Sequence, residues 1–196
     1  MTKTYDKFAP QYDSVMQPVE RWFLTGLRAE IFSLLPSHAR ILEVGAGTGR
    51  NFVFYPAGTH GVASEPTGAM LELANQKERP EGVELVQNTA EALPFKNATF
   101  DAAFATLVFC SVSSPQKAFA ELRRVVKSGG TVLLLEHVRP RGVLGPLFDL
   151  INLVTHPLFE DNFNRRTADE ARAAGLQVQR VDQRLAGIIN LIACRV

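Results

Sequence analysis

The sequence predicts an α/β fold: a doubly wound, mostly parallel sheet of seven strands with a C-terminal antiparallel hairpin and an N-terminal helical cap. Three observations predict it. From residue 40 onward, strand-like and helix-compatible segments alternate, and such alternation produces right-handed βαβ units. A glycine-rich turn at residues 45–49 follows the first strand. Near the end of the chain, two strand-like segments are separated by a short link around Ala186 and Gly187, which favours a hairpin.

Length and composition indicate one globular domain. The 196 residues are 46% hydrophobic and 21% charged, which is enough apolar sequence to form a core. The net charge of +1, without a dense basic stripe, gives no reason to expect nucleic acid as a partner. The first residues lack the apolar core of a signal peptide, and no apolar run reaches the roughly 18 residues of a membrane span. Cys110 and Cys194 lie in apolar sequence, as buried, reduced thiols do, so we expect a cytoplasmic protein.

The predicted domain, residues 1–196, has four parts. They are a helical cap at 1–37, a core at 38–139, an apolar insertion at 140–166, and a helix with the hairpin at 167–196. In the cap, aromatic residues at positions 5, 8 and 12 share one helical face. Pro18 fits the first turn of a helix that runs to about residue 35.

Apolar runs between turn residues predict the strands of the core, which are 40–44, 58–64, 83–87, 100–106 and 131–136. Helices are predicted at 49–55, at 68–77 with Thr67 as N-cap, and at 115–126 with a glycine stop at 129–130. Thr167 and Glu170 predict a capping box that opens a helix to residue 174. Strands at 176–182 and 188–195 complete the hairpin.

The insertion at 140–166 is rich in large apolar residues and poor in charges. One interpretation is a helix packed on the sheet. The other is a lipophilic lid over the ligand site that also rests on a membrane surface.

The glycine turn predicts a ligand site. Gly45, Gly47 and Gly49 let backbone approach a ligand without a Cβ, and backbone N–H groups at a helix start can receive it. Glu43 precedes the turn, and Glu65 at the end of the second strand can accept both hydroxyls of a ribose. The spacing G-x-G-x-G departs from the nicotinamide pattern G-x-G-x-x-G, because Arg50 occupies the final position. A nicotinamide-dependent oxidoreductase is therefore disfavoured.

Several stretches in the right order resemble the class I S-adenosylmethionine-dependent methyltransferases of the type 11 group. They are ILEVGAGTG, GVASEPTGAML, VQNTAEALPF, FDAAFATLVFCSV and ELRRVVKSGGTVLLLEHV. The resemblance covers about residues 5–138 and, less specifically, the hairpin. It implies a Rossmann-like fold and S-adenosylmethionine as cofactor, with S-adenosylhomocysteine as product.

The resemblance also implies the cofactor-binding residues. These are Gly45, Ala46, Gly47 and Thr48 against the methionine part, with Glu43 and Gly49 in the same motif, Glu65 on the ribose, Pro66, Met70, Thr89, Ala90 and Glu91 along the adenine, and Thr106 below the sulfonium. Many relatives carry Asp or Asn where Thr89 stands, so a backbone contact is the expected bond to the adenine amine. Thr106 could equally be an ordinary core residue. The four dispersed histidines lack ligand spacing, so no metal site is expected.

The acceptor is predicted only as a class. His137, at the end of the fifth strand, is the candidate base, and a structural role for it is an equal alternative. Tyr5 and Tyr12 are candidate substrate contacts, or else packing residues. The N-terminal YDKFAPQYD resembles bacterial phospholipid N-methyltransferases and quinone-biosynthesis C-methyltransferases, whereas GAGTGRNFVFYP, TLVFCSV and LLEHV resemble thiol S-methyltransferases. All three subgroups act on lipophilic acceptors, and a phospholipid amine is slightly favoured. A cofactor-binding scaffold without activity is the non-enzymatic alternative.

Overall fold

The computed structural model describes residues 2–140, 142, 144–159, 162 and 164–196. Its centre is a seven-stranded sheet in the order β3-β2-β1-β4-β5-β7-β6. The strands are β1 Arg40–Val44, β2 His60–Glu65, β3 Val83–Gln87, β4 Phe100–Thr106, β5 Val126–His137, β6 Gln177–Arg184 and β7 Ile189–Arg195. The five strands from β1 to β5 pair in parallel. β7 lies antiparallel between β5 and β6, which confirms the predicted hairpin.

Residues from both faces of the sheet form the core. On one face Phe109 and Phe119 stack with ring centroids 4.3 Å apart. On the other, Phe32 meets Phe104 edge-on at 5.0 Å and Tyr55 at 5.2 Å. Cys110 and Cys194 are both buried, as expected.

The N-terminal cap is one long helical stretch. It comprises α1 Thr2–Val19, a π-helical turn Glu20–Leu24 and α2 Thr25–Ser33. The prediction that Pro18 begins a helix is wrong, because α1 begins at Thr2 and Pro18 lies inside it near its end. A proline disrupts the hydrogen bonding of the preceding turn, and here the π-helical turn follows two residues later.

The remaining helices are α3 Gly68–Asn75, α4 Pro115–Val125, α5 Leu144–Phe159 and α6 Thr167–Ala173. The predicted helix at 49–55 is wrong: a turn leads only into a 3-10 helix, Phe52–Phe54, because Gly49 has φ +79° and cannot continue a right-handed helix. The predicted capping bonds are also absent from the described residues. Thr67 is the N-cap of α3 without a side-chain capping bond, and Thr167 is the first helical residue, with Arg166 as N-cap.

Gly129 and Gly130 do not stop α4, which ends at Val125. They lie in a register shift of β5, between the pairs Phe100–Val126 and Ala102–Thr131. A Cβ on Gly130 would stand 2.8 Å from the Asp101 carbonyl oxygen, so this position requires glycine.

The insertion contains the helix α5, and residues 141, 143, 160, 161 and 163 lie outside the described residues. Leu147, Leu150 and Leu153, spaced by three, are 50%, 61% and 71% exposed. Within the described residues, none of the helices combines the length and apolar character needed to cross a bilayer.

Candidate active site

A cleft opens at the carboxyl ends of β1, β2 and β4, where ligands of open α/β sheets bind. It encloses about 890 Å³ of space, part of it open to solvent. The structure brings most of the predicted site residues together on its walls. They are Gly45, Ala46, Gly47, Thr48, Glu65, Pro66, Met70, Thr89, Ala90, Glu91 and Thr106, together with Tyr5 and Tyr12 from α1.

The glycine turn is bound tightly to β2. The N–H groups of Gly45 and Ala46 both donate to the Ser64 carbonyl, at 2.8 and 2.9 Å. Gly45 has φ +71°, and a Cβ there would stand 2.4 Å from Val108 Cγ2, so any side chain would displace the loop after β4. Because Gly45 has no side chain, the glycine turn and the loop after β4 can pack against each other as two walls of the cleft.

Glu65 connects the glycine turn to the loop after β2. Its Oε2 accepts the Gly47 N–H at 2.9 Å and its Oε1 accepts the Thr67 N–H at 3.0 Å. Burial raises the pKa of this carboxyl group, and the two backbone N–H donors oppose that rise. A carboxylate offers about four lone-pair sites. Acceptor capacity therefore remains for the hydroxyls of a ribose.

Glu43 and Gly49 do not line the cleft. Glu43 is fully buried beneath it, accepting hydrogen bonds from the Asn51 amide at 2.5 Å and from the Tyr55 hydroxyl. Burial raises the pKa of Glu43. Asn51 does line the cleft. Glu43 therefore supports the cleft wall indirectly, through its hydrogen bond to Asn51.

Arg28 is a cleft residue that the sequence analysis missed. It is 4% exposed, and its Nη1 donates to Asn51 Oδ1 at 2.6 Å and Thr106 Oγ1 at 2.7 Å. Its Nε and Nη2 donate to the two Glu20 carboxylate oxygens at 3.0 and 2.6 Å. Residues eight apart are not aligned on a regular α-helix. The π-helical turn that brings Glu20 and Arg28 together had no sequence signal.

Asp13 fastens α1 to the glycine turn, and it was also missed. Its carboxylate accepts from the Thr48 hydroxyl at 2.7 Å, Arg50 Nη1 at 2.8 Å and Lys77 Nζ at 2.6 Å. Burial alone would raise the pKa of Asp13, but these hydrogen bonds hold it below its ordinary value. Next to it, burial raises the pKa of Tyr12 to about 12, so this phenol stays protonated at neutral pH.

Three of the residues predicted along the adenine, Thr89, Ala90 and Glu91, lie on the loop after β3. Glu91 Oε1 accepts the N–H groups of Ser113 and Ser114, at 3.0 and 3.1 Å, and so connects the loop after β3 to the start of α4. Thr89 is exposed and Ala90 buried on the same wall. The roles of these residues toward adenine stay predictions.

His137 is the last residue of β5 and does not line the cleft. It is half-buried, with Nδ1 shielded from solvent. Burial lowers the pKa of its imidazole, so the ring is neutral at physiological pH. A neutral ring could accept a proton, and its role as base stays a prediction.

Comparison with known proteins identifies the core. The profile of a family described as "Methyltransferase domain" matches residues 42–134. A demethylmenaquinone methyltransferase of Renibacterium salmoninarum is 33% identical over 142 residues, 69% of this chain and 58% of the relative. A human thiol S-methyltransferase is 30% identical over 143 residues, 67% of this chain and 58% of the relative. The chain thus spans under two thirds of the length of these relatives.

The fold has close counterparts among solved structures. A methyltransferase of Thermotoga maritima, described as a possible histamine N-methyltransferase, superposes on this protein with a TM-score of 0.76 at 24% sequence identity. The superposition covers 100% of this chain and 99% of the Thermotoga chain. This likeness covers the whole sheet, including the hairpin. The likeness shows the fold, and the matched domain and the methyltransferase relatives place residues 42–134 of this chain among the S-adenosylmethionine-dependent methyltransferases.

Proposed function

We propose that this protein transfers a methyl group from S-adenosylmethionine to a lipophilic small molecule. The observation that carries the proposal is the single cleft that unites the glycine turn, Glu65 and Thr106. Bound there, the cofactor supplies an electrophilic methyl on a sulfonium. The protein's task is to align it with a nucleophile and exclude water.

The chain's own residues divide this task. Glu65 and the turn hold the nucleoside, while Arg28 fixes Thr106 and Asn51 at the other end of the cleft. Arg28 and Arg50 suit the α-carboxylate of the methionine part, because a guanidinium binds carboxylates well. Tyr12 and Val108 would flank the methyl group and the acceptor.

We further propose that the acceptor gives up a thiol or phenol proton to water before it takes the methyl group, so that the transfer breaks the sulfur–methyl bond and leaves S-adenosylhomocysteine. Arg28, although ion-paired with Glu20, donates from its Nη1 to Thr106 at the end of β4 and so puts a cation there, whereas the lining carboxylate Glu91 is on the loop after β3. A positive charge stabilises a nearby thiolate or phenolate and disfavours an ammonium ion. One relative is named for a thiol, and the other for demethylmenaquinone, a quinone whose reduced quinol form carries phenolic hydroxyls.

The phospholipid amine that the N-terminal motif favours is the rival acceptor. Purified protein with methyl-labelled S-adenosylmethionine should be offered a long-chain thiol, demethylmenaquinol and phosphatidylethanolamine at equal concentrations. We expect thiol or quinol product to exceed amine product by at least about tenfold, the effect of roughly 1.4 kcal/mol in the barrier. Preferential labelling of phosphatidylethanolamine would contradict the proposal for this acceptor class.

We propose that α5 is a lipophilic lid that contacts a lipid surface. Its support is the row of exposed leucines at 147, 150 and 153. The triple variant Leu147→Ser, Leu150→Ser, Leu153→Ser should co-sediment less with phosphatidylcholine vesicles than the unchanged protein. Leu185→Ser, at another exposed leucine, is the control. Equal sedimentation of all three proteins would refute the lid.

A further inference from the structure

A second, polar groove lies at the same edge of the sheet as the cleft. It is formed by the ends of β5 and β6, the start of β7 and the first turn of α6. The pairing His137–Ile189 lies at this edge, whereas Thr131–Arg195 lies at the opposite edge. The groove is wide and open, with about 1530 Å³ of space between its walls and the solvent.

More cationic than anionic side chains line the groove, although four of its arginines have an acidic neighbour within 4 Å. Five arginines line it, against two aspartates. Arg139, Arg172 and Arg184 each have one acidic partner, Asp149, Asp169 and Glu30. The side chain of Arg166 is exposed and lines the groove, and its charge is near enough to Asp149 to help lower the pKa of that carboxyl group. A guanidinium has five N–H donors, so even the paired arginines keep donors available.

The groove also contains buried polar groups without partners. Thr167 is 1% exposed and Asn190 8% exposed, and within the described part of the chain neither Thr167 Oγ1 nor Asn190 Oδ1 has a hydrogen bond. The buried Nε of Arg165 likewise has no hydrogen-bond partner among the described residues. A buried polar group that has lost its hydrogen bonds to water without gaining a partner destabilises the fold.

Donors predominate in this set. The Thr167 hydroxyl and Arg165 Nε can donate, and the Asn190 carboxamide presents either its NH₂ or its oxygen after a half-turn. One unpartnered acceptor, Glu170 Oε2, lies behind Arg165, whose Nη1 is 3.8 Å from the other Glu170 oxygen. A ligand that matches several donors and positive charge is an anion with three or more acceptor oxygens.

We propose that this groove binds a phosphate group, held by Arg166 and Arg165 and by Thr167 and Asn190 on its floor. The site is separate from the cofactor cleft. Arg165 lies between the two, since its Nη2 donates to the carbonyl of Val112, a residue of the cleft wall, at 2.5 Å. The phosphate can be free or be the head group of a lipophilic molecule that extends toward the cleft. The proposal does not depend on methyl transfer.

The test is a titration of the full-length chain with inorganic phosphate at constant ionic strength, followed by NMR. We expect saturable shifts of the Asn190 side-chain amide and the Arg166 Nε–H, with a dissociation constant on the order of 1 mM or tighter. Arg166→Gln and Thr167→Val should each weaken binding about tenfold, as loss of a charge-assisted hydrogen bond does.

Two variants serve as controls. Arg195→Gln removes the same charge at the opposite edge of the sheet, and Thr167→Ser keeps the hydroxyl, so both should bind phosphate like the unchanged protein. If the shifts do not saturate, or if Arg195→Gln weakens binding as much as Arg166→Gln, ordered water fills the groove and the proposal is wrong.

A second arm identifies the source of the phosphate. n-Octyl phosphate below its micelle concentration replaces inorganic phosphate in the same titration. Binding at least tenfold tighter, with added shifts at the Leu107 and Val108 amides of the cleft, assigns the phosphate to a lipophilic ligand. Equal affinity, without shifts in the cleft, assigns it to a free ion or soluble ester.

Discussion

At the scale of single residues, the Glu65 carboxylate connects two loops by accepting one backbone N–H from each. It still has lone pairs that can accept hydrogen bonds from a ligand. Gly47 and Thr67 lose an acceptor when it is removed. We expect Glu65→Ala to weaken S-adenosylhomocysteine binding by about thirtyfold or more, the equivalent of roughly 2 kcal/mol for a buried charged acceptor. Calorimetric titration measures the change. Glu84→Ala, on the exposed side of β3, is the control, and unchanged affinity in Glu65→Ala would show that Glu65 is misassigned.

Arg28 contributes to the stability of the fold as well as to the cleft. Replacing it by Met leaves the buried Glu20 carboxylate with Arg50 Nε at 3.3 Å as its remaining ion-pair partner. We expect the free energy of unfolding to fall by about 3–5 kcal/mol, as when one partner of a buried ion pair is removed. Urea denaturation measures it. Arg21→Met, at an exposed position of the same helix, should change little, and equal losses in both variants would contradict the network.

The lowered pKa of Asp13 predicts how acid acts on the cap. In the unfolded chain an aspartate titrates near 3.9. The folded carboxylate keeps its charge to lower pH, so its contribution to stability is complete above that value and is lost as pH falls through the folded pKa. The midpoint of urea unfolding should be measured from pH 6 to pH 2.5. We expect the midpoint of the Asp13→Asn variant to fall less steeply with decreasing pH than that of the unchanged protein. An unchanged slope would show that the carboxylate is not bound as described.

Among the elements, the N-terminal helix depends on its π-helical turn. That turn spans Glu20–Leu24, and π-turns inside helices often mark functional sites. Deleting the exposed Phe23 would restore regular spacing and rotate α1 by about 100° relative to α2. Asp13 and Glu20 would then leave their partners, and Tyr12 would leave the cleft wall.

We expect the Phe23 deletion to weaken S-adenosylhomocysteine binding while the sheet stays folded by circular dichroism. Phe23→Ala keeps the helix register and should bind normally. If the deletion binds as well as the point variant, the π-helical turn has no role at the cleft.

The elements whose bounds the sequence predicted correctly are strands that are largely buried in the sheet. β1, β3 and β4 have the predicted bounds, because apolar runs between turn residues have one way to be buried in a parallel sheet. Local signals at element ends were less reliable. Pro18, predicted to begin a helix, lies inside α1, and Thr167, predicted to cap a helix, is the first residue of α6 and makes no capping bond.

For the candidate site, motif residues were predicted and supporting residues were not. Gly45, Glu65 and Thr106 lie in a recognisable order along the chain and line the cleft. Arg28 and Asp13 come from the cap, and their partners lie 78 and 64 positions away in the cases of Thr106 and Lys77. Single-sequence patterns report neighbours along the chain, so such pairs are visible only in the fold.

Across the whole molecule, the cofactor cleft and the arginine-lined groove open at one edge of a single sheet. The N-terminal helix closes the cleft through Asp13 and Arg28, and the exposed leucines of α5 belong to the insertion after β5. This arrangement supports the proposed enzyme over a scaffold, since a scaffold does not need a buried polar network at the cleft.

The most direct measurement of the central claim is methyl transfer itself. Protein with methyl-labelled S-adenosylmethionine and a mixture of lipophilic thiols, quinols and phospholipids is extracted with organic solvent, and S-adenosylhomocysteine is quantified in the aqueous phase. We predict label in the organic phase in equal amount to the S-adenosylhomocysteine formed, and little of either with Glu65→Ala. Binding of S-adenosylmethionine without any extractable labelled product would contradict the account and leave the scaffold function in its place.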